Sequence, residues 1–397
     1  MNIKSVFSWP RLRGLASALL GASLLFGCGG GGGVGTGGTG SITSYAAGPI
    51  DGFGSIFVSG VEFDDTSASV LDDEGDNVAR NGSELRLGMT VEVDATAIVG
   101  GGVGGKSATA ATVRIATGLV GPVAALDTTA GTVTVFGQTL KTDSATVFGS
   151  GLSSGLASLH VGDVVQVWAL PETSGVYRLT RIETVSNGSQ FVLRGVVSNL
   201  DTTAKTFKIG STSFSYASAS KVPVGLADGL TVRVKLAATP VAGVWTVQSF
   251  GNVHQPPSNR DGAEVSGLVS SFTSSSSFSV DGRAVDASNA TVNGTVAAGV
   301  SVEVEGSLVN GVLVARTVTV THRGGGHGDD YTLVGVVASL DTTAKTFLVH
   351  GQLVDYASAA FVGGTAANLS GTNVRVKVTG SVSADGTRIV ASTVEIR

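Results

Sequence analysis

A glycine followed three residues later by Val-x-Val recurs five times along this chain. It stands at Gly88 with Val91 and Val93, at Gly162 with Val165 and Val167, and at Gly229 with Val232 and Val234. It returns at Gly299 with Val302 and Val304 and at Gly371 with Val374 and Val376, so successive copies are 74, 67, 70 and 72 residues apart. A near-constant period of this size denotes an array of similar small domains. The units run over 47–117, 118–189, 190–253, 262–321 and 331–397. The third and fifth are closest: Asp201 to Phe207 reads DTTAKTF, as does Asp341 to Phe347, and Val232 to Lys235 reads VRVK, as does Val374 to Lys377. The second unit has Asp127 to Val133 at the same place, and the first has a shortened version around Gly52 to Gly60.

The last unit gives the plainest secondary-structure reading. Leu333 to Leu340 alternates as a strand, and Asp341 to Lys345 is a polar turn opened by an aspartate whose carboxylate suits nearby backbone N–H groups. Thr346 to His350 and Leu353 to Tyr356 form a hairpin about Gly351 and Gln352. Ala357 to Leu369 loses the period of two and reads as a short helix or loop. Val374 to Val378 and Ile389 to Ile396 make a second hairpin turning at Ala384, Asp385 and Gly386. Three strands, an interruption, then two strands predict an all-β fold. The expected architecture is a tandem array of five small five-stranded barrels, OB-like, with an SH3-like barrel as the alternative. Abundant glycine (58 residues) with only 14% charged residues supports strands and turns over helices.

Residues 1–27 read as a signal peptide: Lys4, Arg11 and Arg13 precede an apolar run from Leu15 to Phe26. The run is short for a membrane span. It ends in Leu25-Phe26-Gly27-Cys28, which resembles a bacterial lipobox and implies lipidation of Cys28, the only cysteine. Removing 1–27 takes three cations and no acid, moving the net charge from −5 to −8. Nucleic-acid binding is therefore not expected. Residues 28–46 hold the lipidated Cys and a glycine-rich tether, GGGGGVGTGGTG over 29–40. The resemblance, with Gly29 after the cysteine, implies the outer membrane. Linkers at 254–261 and 322–330 predict that the fourth and fifth units swing freely, while the first three pack together.

The lipobox, the glycine tract and tandem units carrying FGSIFVSGVEF (53–63) and DTTAKTF resemble bacterial lipoproteins built from repeats of a domain of unknown function, of the 5666 type. The resemblance implies a fold and an anchor and supplies no catalytic residues.

Several motifs carry a chemical reading. Gly100 to Ser107 matches the P-loop pattern, but Thr112 to Ile115 reads as a closing strand where a P-loop needs a helix, so no nucleotide partner is expected. Gly151-Leu152-Ser153-Ser154-Gly155, with His160 nearby, matches the nucleophile-elbow pattern without the strand–turn–helix setting it requires. His322, His327, Asp329 and Asp330 form a loose set of imidazole and carboxylate donors for a divalent metal. Asp64, Asp65, Asp72, Asp73, Glu74 and Asp76 offer oxygens without the spacing of a calcium loop. Phe57, Phe136, Trp168, Phe207, Trp245 and Phe347 read as core, whereas Phe53 and Tyr177 are candidate stacking platforms on a barrel face. No shared Asp, Glu, His or Ser cluster recurs in phase, so the expectation is a non-enzymatic, lipid-anchored binding or structural protein of the envelope. Its expected partner is an envelope polysaccharide or protein, and metal binding by the 322–330 linker is the alternative.

Overall fold

Each repeat opens on a long first strand that bends midway and serves two neighbours. The computed structural model describes residues 41–72, 79–101, 105–116, 118–149, 151–173, 175–185, 190–251, 253–321 and 331–397. In repeat 1 the first strand, Ser44–Phe53, pairs antiparallel with the second, Ile56–Val58, which pairs with the third, Val61–Asp64. The third runs parallel to the last strand, Lys106–Ile115, with Val61 opposite Lys106. The last pairs antiparallel with the fourth, Thr90–Ala95, and the fourth returns to the first, closing the ring. The ring order 1-2-3-5-4-1 with one parallel contact is the OB-like arrangement. That parallel contact separates it from a purely antiparallel SH3-like barrel. It recurs in every repeat, at Leu140 opposite Tyr177, Phe214 opposite Trp245, Val285 opposite Leu313 and Val354 opposite Ile389.

The recurring sequence marks are local backbone solutions. Gly88, Gly162, Gly229 and Gly299 all take a left-handed φ where the chain turns into the fourth strand, and the marker valines behind them are buried. In repeat 5 that role belongs to Asn373 (φ 55°), and Gly371 is an ordinary residue closing a short 3₁₀ turn. The hydrogen bonds settle the phase: Ile50 N donates to Met89 O in repeat 1, and Val337 N donates to Val374 O in repeat 5. The true counterparts of Val91 and Val93 are therefore Val376 and Val378, and the second copy of VRVK is displaced by two residues. A two-residue slip keeps the same side chains facing inward, which is why the sequence pattern hides it.

The DTTAKTF turns are aspartate turns. Asp201 Oδ1 accepts from Thr203 N and Ala204 N at 2.8 Å each, and Asp341 and Asp127 do the same. Lys205 and Lys345 occupy the left-handed position that Gly131 takes in repeat 2. The hairpin between second and third strands turns at His350 and Gly351, one residue earlier than the sequence suggests, with Val349 opposite Gln352. Both residues have positive φ, the type I′ geometry that matches the strand twist.

The first turn residue folds back over a glycine in the first strand. A Cβ on Gly121 would stand 2.2 Å from the Phe136 ring, one on Gly267 2.3 Å from Asp281, and one on Gly335 2.8 Å from His350. In repeat 1 the same turn position is Ser59, whose hydroxyl donates to Ala47 O.

The repeats do not swing independently, contrary to the reading of the linkers. Residues 40–397 form one compact unit. The first strand of repeat 1 pairs parallel with that of repeat 4 (Ser44 opposite Gly262 to Ala47 opposite Val265) and with that of repeat 5 (Gly52 opposite Thr332). The first strands of repeats 2 and 3 pair antiparallel through Val192 and Val120. Repeat 2 reaches repeats 1 and 5 without strand pairing: Val147 and Trp168 enter their shared core, Phe148 N donates to Gly386 O at 2.9 Å, and Tyr331 Oη donates to Ala145 O at 3.0 Å. An aromatic cluster joins repeats 2 and 3, with Phe136 4.9 Å from Trp245 and 6.1 Å from Phe191.

Gly121→Ala is expected to destabilise the chain by about 1–3 kcal/mol, because the new methyl drives the Phe136 ring out of that cluster. Urea unfolding measures it, and an unchanged midpoint would show that the ring moves freely.

Candidate ligand cleft and the acidic seam

Repeats 1, 2 and 5 meet around a cleft of about 630 Å³. Repeat 1 contributes the segment around a 3₁₀ turn, Gly82–Glu84. A capping box fixes that turn: Asn81 Oδ1 accepts from Ser83 N, and Glu84 Oε1 accepts from Asn81 N. Arg80 and Arg86 flank it. Repeat 2 contributes Gln166, Trp168, Arg181 and Glu183 from its two last strands, where Trp168 lies opposite Arg181 and Gln166 opposite Glu183. Repeat 5 closes the rim with its Gly351 hairpin turn and Thr387.

Most of the charge in the cleft is committed. Arg80 pairs with Asp72 and Glu84. Arg181, 5% exposed, donates to Glu183 Oε2 from Nη2 (2.7 Å) and Nε (3.1 Å) and to Leu87 O from Nη1. Gly149 leaves the room for this guanidinium, since a Cβ there would stand 2.3 Å from Nη2. Burial lowers the Arg181 pKa, Glu183 opposes the shift, and the nearby Arg86 adds to it. Among the described residues Arg86 itself donates only to the main chain, from Nη1 to Leu85 O at 2.8 Å and to Ser83 O. Trp168 is 1% exposed and its indole Nε1 has no acceptor among the described residues.

Trp168 is core, as its strand position predicts, and it also lines the cleft, whereas Arg80, Arg86 and Arg181 belong to no motif in the sequence. The signal lay in the aligned repeats. The positions matching Trp168 hold Asp94, Lys235, Glu305 and Thr379, and those matching Arg181 hold Thr112, Ser249, Thr317 and Thr393. Repeat 2 alone replaces a polar residue by Trp and a small hydroxyl by Arg.

The other candidates fare differently. In the P-loop match, Val99–Gly100 and Lys106–Ile115 form a hairpin, with residues 102–104 outside the described ones. Lys106 points into repeat 4, its Nζ donating to Glu264 Oε1 at 2.7 Å and Glu305 Oε2 at 2.8 Å. His160 finds a carboxylate, Asp163, at 3.6 Å, but its side chain is 79% exposed, and Gly155–Ser158 is a 3₁₀ turn with no strand-to-helix elbow. Phe53 is no exposed platform: it is buried and stacks on His350 at 5.4 Å. Tyr177 is half-buried against the core of repeats 2 and 3. Among the described residues no group of three or more His, Cys, Asp or Glu is placed to hold a metal ion. Asp73, Glu74, Asp76, Cys28 and the linker set His322, His327, Asp329 and Asp330 lie outside the described residues.

Three stretches, 39–103, 120–183 and 266–319, match the family model described as "Domain of unknown function (DUF5666)". The chain carries tandem copies of this domain. Repeats 3 and 5 lie outside the matched stretches and share the same strand register. No curated protein matches. A solved structure titled "drosophila Unr CSD456" is similar at 13% identity over 52% of this chain and 99% of that one, with a TM-score of 0.16. That score is too low to bear on the fold, which rests on the register above.

Where DUF5666 repeats 1 and 4 meet, the seam is acidic. Burial pushes the Glu264 carboxyl up to about 7 despite Lys106, with Glu305 and Glu303 adding to the rise. Burial and Glu303 likewise raise Asp51 to about 7. Raised carboxyl values mean that the folded chain binds protons the unfolded chain has released. Stability from these two groups is thus present at acid pH and lost as pH rises through about 7. His254, lowered mainly by burial, works in the opposite direction, being favoured neutral in the fold. Glu264→Gln keeps an acceptor for Lys106 and removes one titration. The change in urea midpoint between pH 5 and pH 8 is expected to be shifted toward stability at pH 8 relative to wild type. An identical pH profile for the two proteins would place the Glu264 titration elsewhere.

Proposed function

We propose that this protein is a lipid-anchored component of the bacterial outer membrane that binds an envelope polysaccharide or protein without catalysis. The observation that carries this reading is the assembly of five barrels, three of them matching DUF5666, into one body with a polar cleft built from three of the five. A site that no single repeat contains gives a use for the repetition. The motifs that look catalytic in the sequence are a hairpin and an exposed histidine, which supports a binding role. The apolar N-terminal run, Cys28 and the glycine tract support the anchor. Clefts of ~300–1,000 Å³ with a few converging polar groups are typical of binding sites for small molecules or for short polymer segments.

Fractionation tests the anchor and binding together. The wild-type chain is expected in the membrane fraction and Cys28→Ser in the soluble fraction. The released variant is expected to bind isolated envelope fragments saturably. Equal partitioning of the two chains removes the anchor, and absence of saturable binding removes the binding role.

A further inference from the structure

We infer that the cleft between repeats 1, 2 and 5 is a binding site for a carboxylate carried on a sugar-sized ligand, with Arg86 as its principal contact. This rests on the binding role proposed above and adds a site and a ligand class to it.

The charge inventory of the cleft selects an anion. Its three carboxylates, Asp72, Glu84 and Glu183, are held by Arg80 and Arg181. Arg86 stands beside Arg181 as a second cation, close enough to lower its pKa, and among the described residues it makes no ion pair. A half-buried guanidinium next to another is unfavourable until a counter-charge arrives, and its planar fork suits a carboxylate held by two N–H groups. Among the described residues the lining offers three arginines and three carboxylates, which balance. A monoanion relieves the local excess at Arg86, whereas a dianion meets three acidic neighbours. This argues for a carboxylate over a phosphate.

A second observation points the same way. Trp168 lines the cleft, and its buried indole N–H, which can only donate, has no acceptor among the described residues. A buried donor without an acceptor costs ~1–3 kcal/mol. It is closed to solvent in this structure, so an acceptor in the cleft reaches it only if the Trp168 ring shifts toward the cleft. A carboxylate has the additional lone pairs to do so. The volume of about 630 Å³ fits one or two sugar rings and exceeds what a lone carboxylate needs.

The test is a titration of the full chain with sodium glucuronate, read by tryptophan fluorescence. Only Trp9, Trp168 and Trp245 contribute, and Trp245→Phe isolates the cleft signal from the folded body. Saturable quenching is expected with glucuronate and not with glucose, and phosphate is expected to bind more weakly. Arg86→Gln is expected to weaken glucuronate at least tenfold, with Arg86→Lys intermediate and both variants keeping the wild-type circular dichroism. A polyuronate of several residues forms the second arm. Tighter binding of the polymer than of glucuronate assigns the carboxylate to a polysaccharide, and binding of glucuronate alone assigns it to a free acid. Equal response to glucose, no saturable response to either carboxylate, or unchanged affinity in Arg86→Gln overturns the inference. If Arg86→Gln leaves binding to envelope fragments intact while glucuronate fails, the cleft assignment falls and the broader binding role stands.

Discussion

The backbone edge of the first strand governs how this chain is assembled. In each barrel the N-terminal half of that strand pairs with the fourth strand and its C-terminal half with the second, so each half keeps one edge unused within its own repeat. An exposed edge of this kind invites pairing with another chain. Here the edges are taken up internally. Residues 44–47 of repeat 1 bond to repeat 4 while still paired with Thr90–Ala95, and Gly52 bonds to repeat 5 while still paired with Phe57. Repeats 2 and 3 consume each other's edges at Val120 and Val192. All strand pairing seen between repeats is therefore made by first strands.

This explains which parts of the structure were legible in the sequence. Left-handed glycines, aspartate turns and buried valine pairs are requirements of the local backbone, so they leave residue-specific marks that repeat. The strand order and the hairpins followed from them. Edge pairing between repeats is made by N–H and C=O groups that every residue carries, and it leaves no such mark. The linkers at 254–261 and 322–330 looked like hinges because composition records the connecting segment and not the strand edges on either side of it. The Gly371 match failed for a related reason. A slip of two residues preserves the inward face, and only the bond from Val337 to Val374 O reveals that Asn373 is the turning residue.

The cleft was illegible for a different reason. Its residues come from three repeats and lie far apart in the chain. Trp168 and Arg181 become conspicuous only once the strands are registered, when each is seen to break a position that is polar or hydroxyl-bearing elsewhere. The comparison that finds them is between copies within one molecule, and it needs the structure to set the alignment.

The hairpin turn over the first-strand glycine shows how identical barrels acquire different neighbours. The glycine is constant, and the residue folded over it is Ser59, Phe136, Asp281 or His350 according to the repeat. Ser59 hydrogen-bonds the Ser266 hydroxyl of repeat 4, Phe136 joins Phe191 and Trp245 of repeat 3, and His350 stacks on Phe53 of repeat 1. In repeat 3 the turn begins at Gly210, which leaves space for Gln138 of repeat 2 to donate to Ile209 O. One turn position thus specifies partners while the barrel around it stays fixed. An array of five equal domains would be symmetric and would present five equal surfaces. Varying that residue breaks the equivalence, and each repeat then meets its own neighbour.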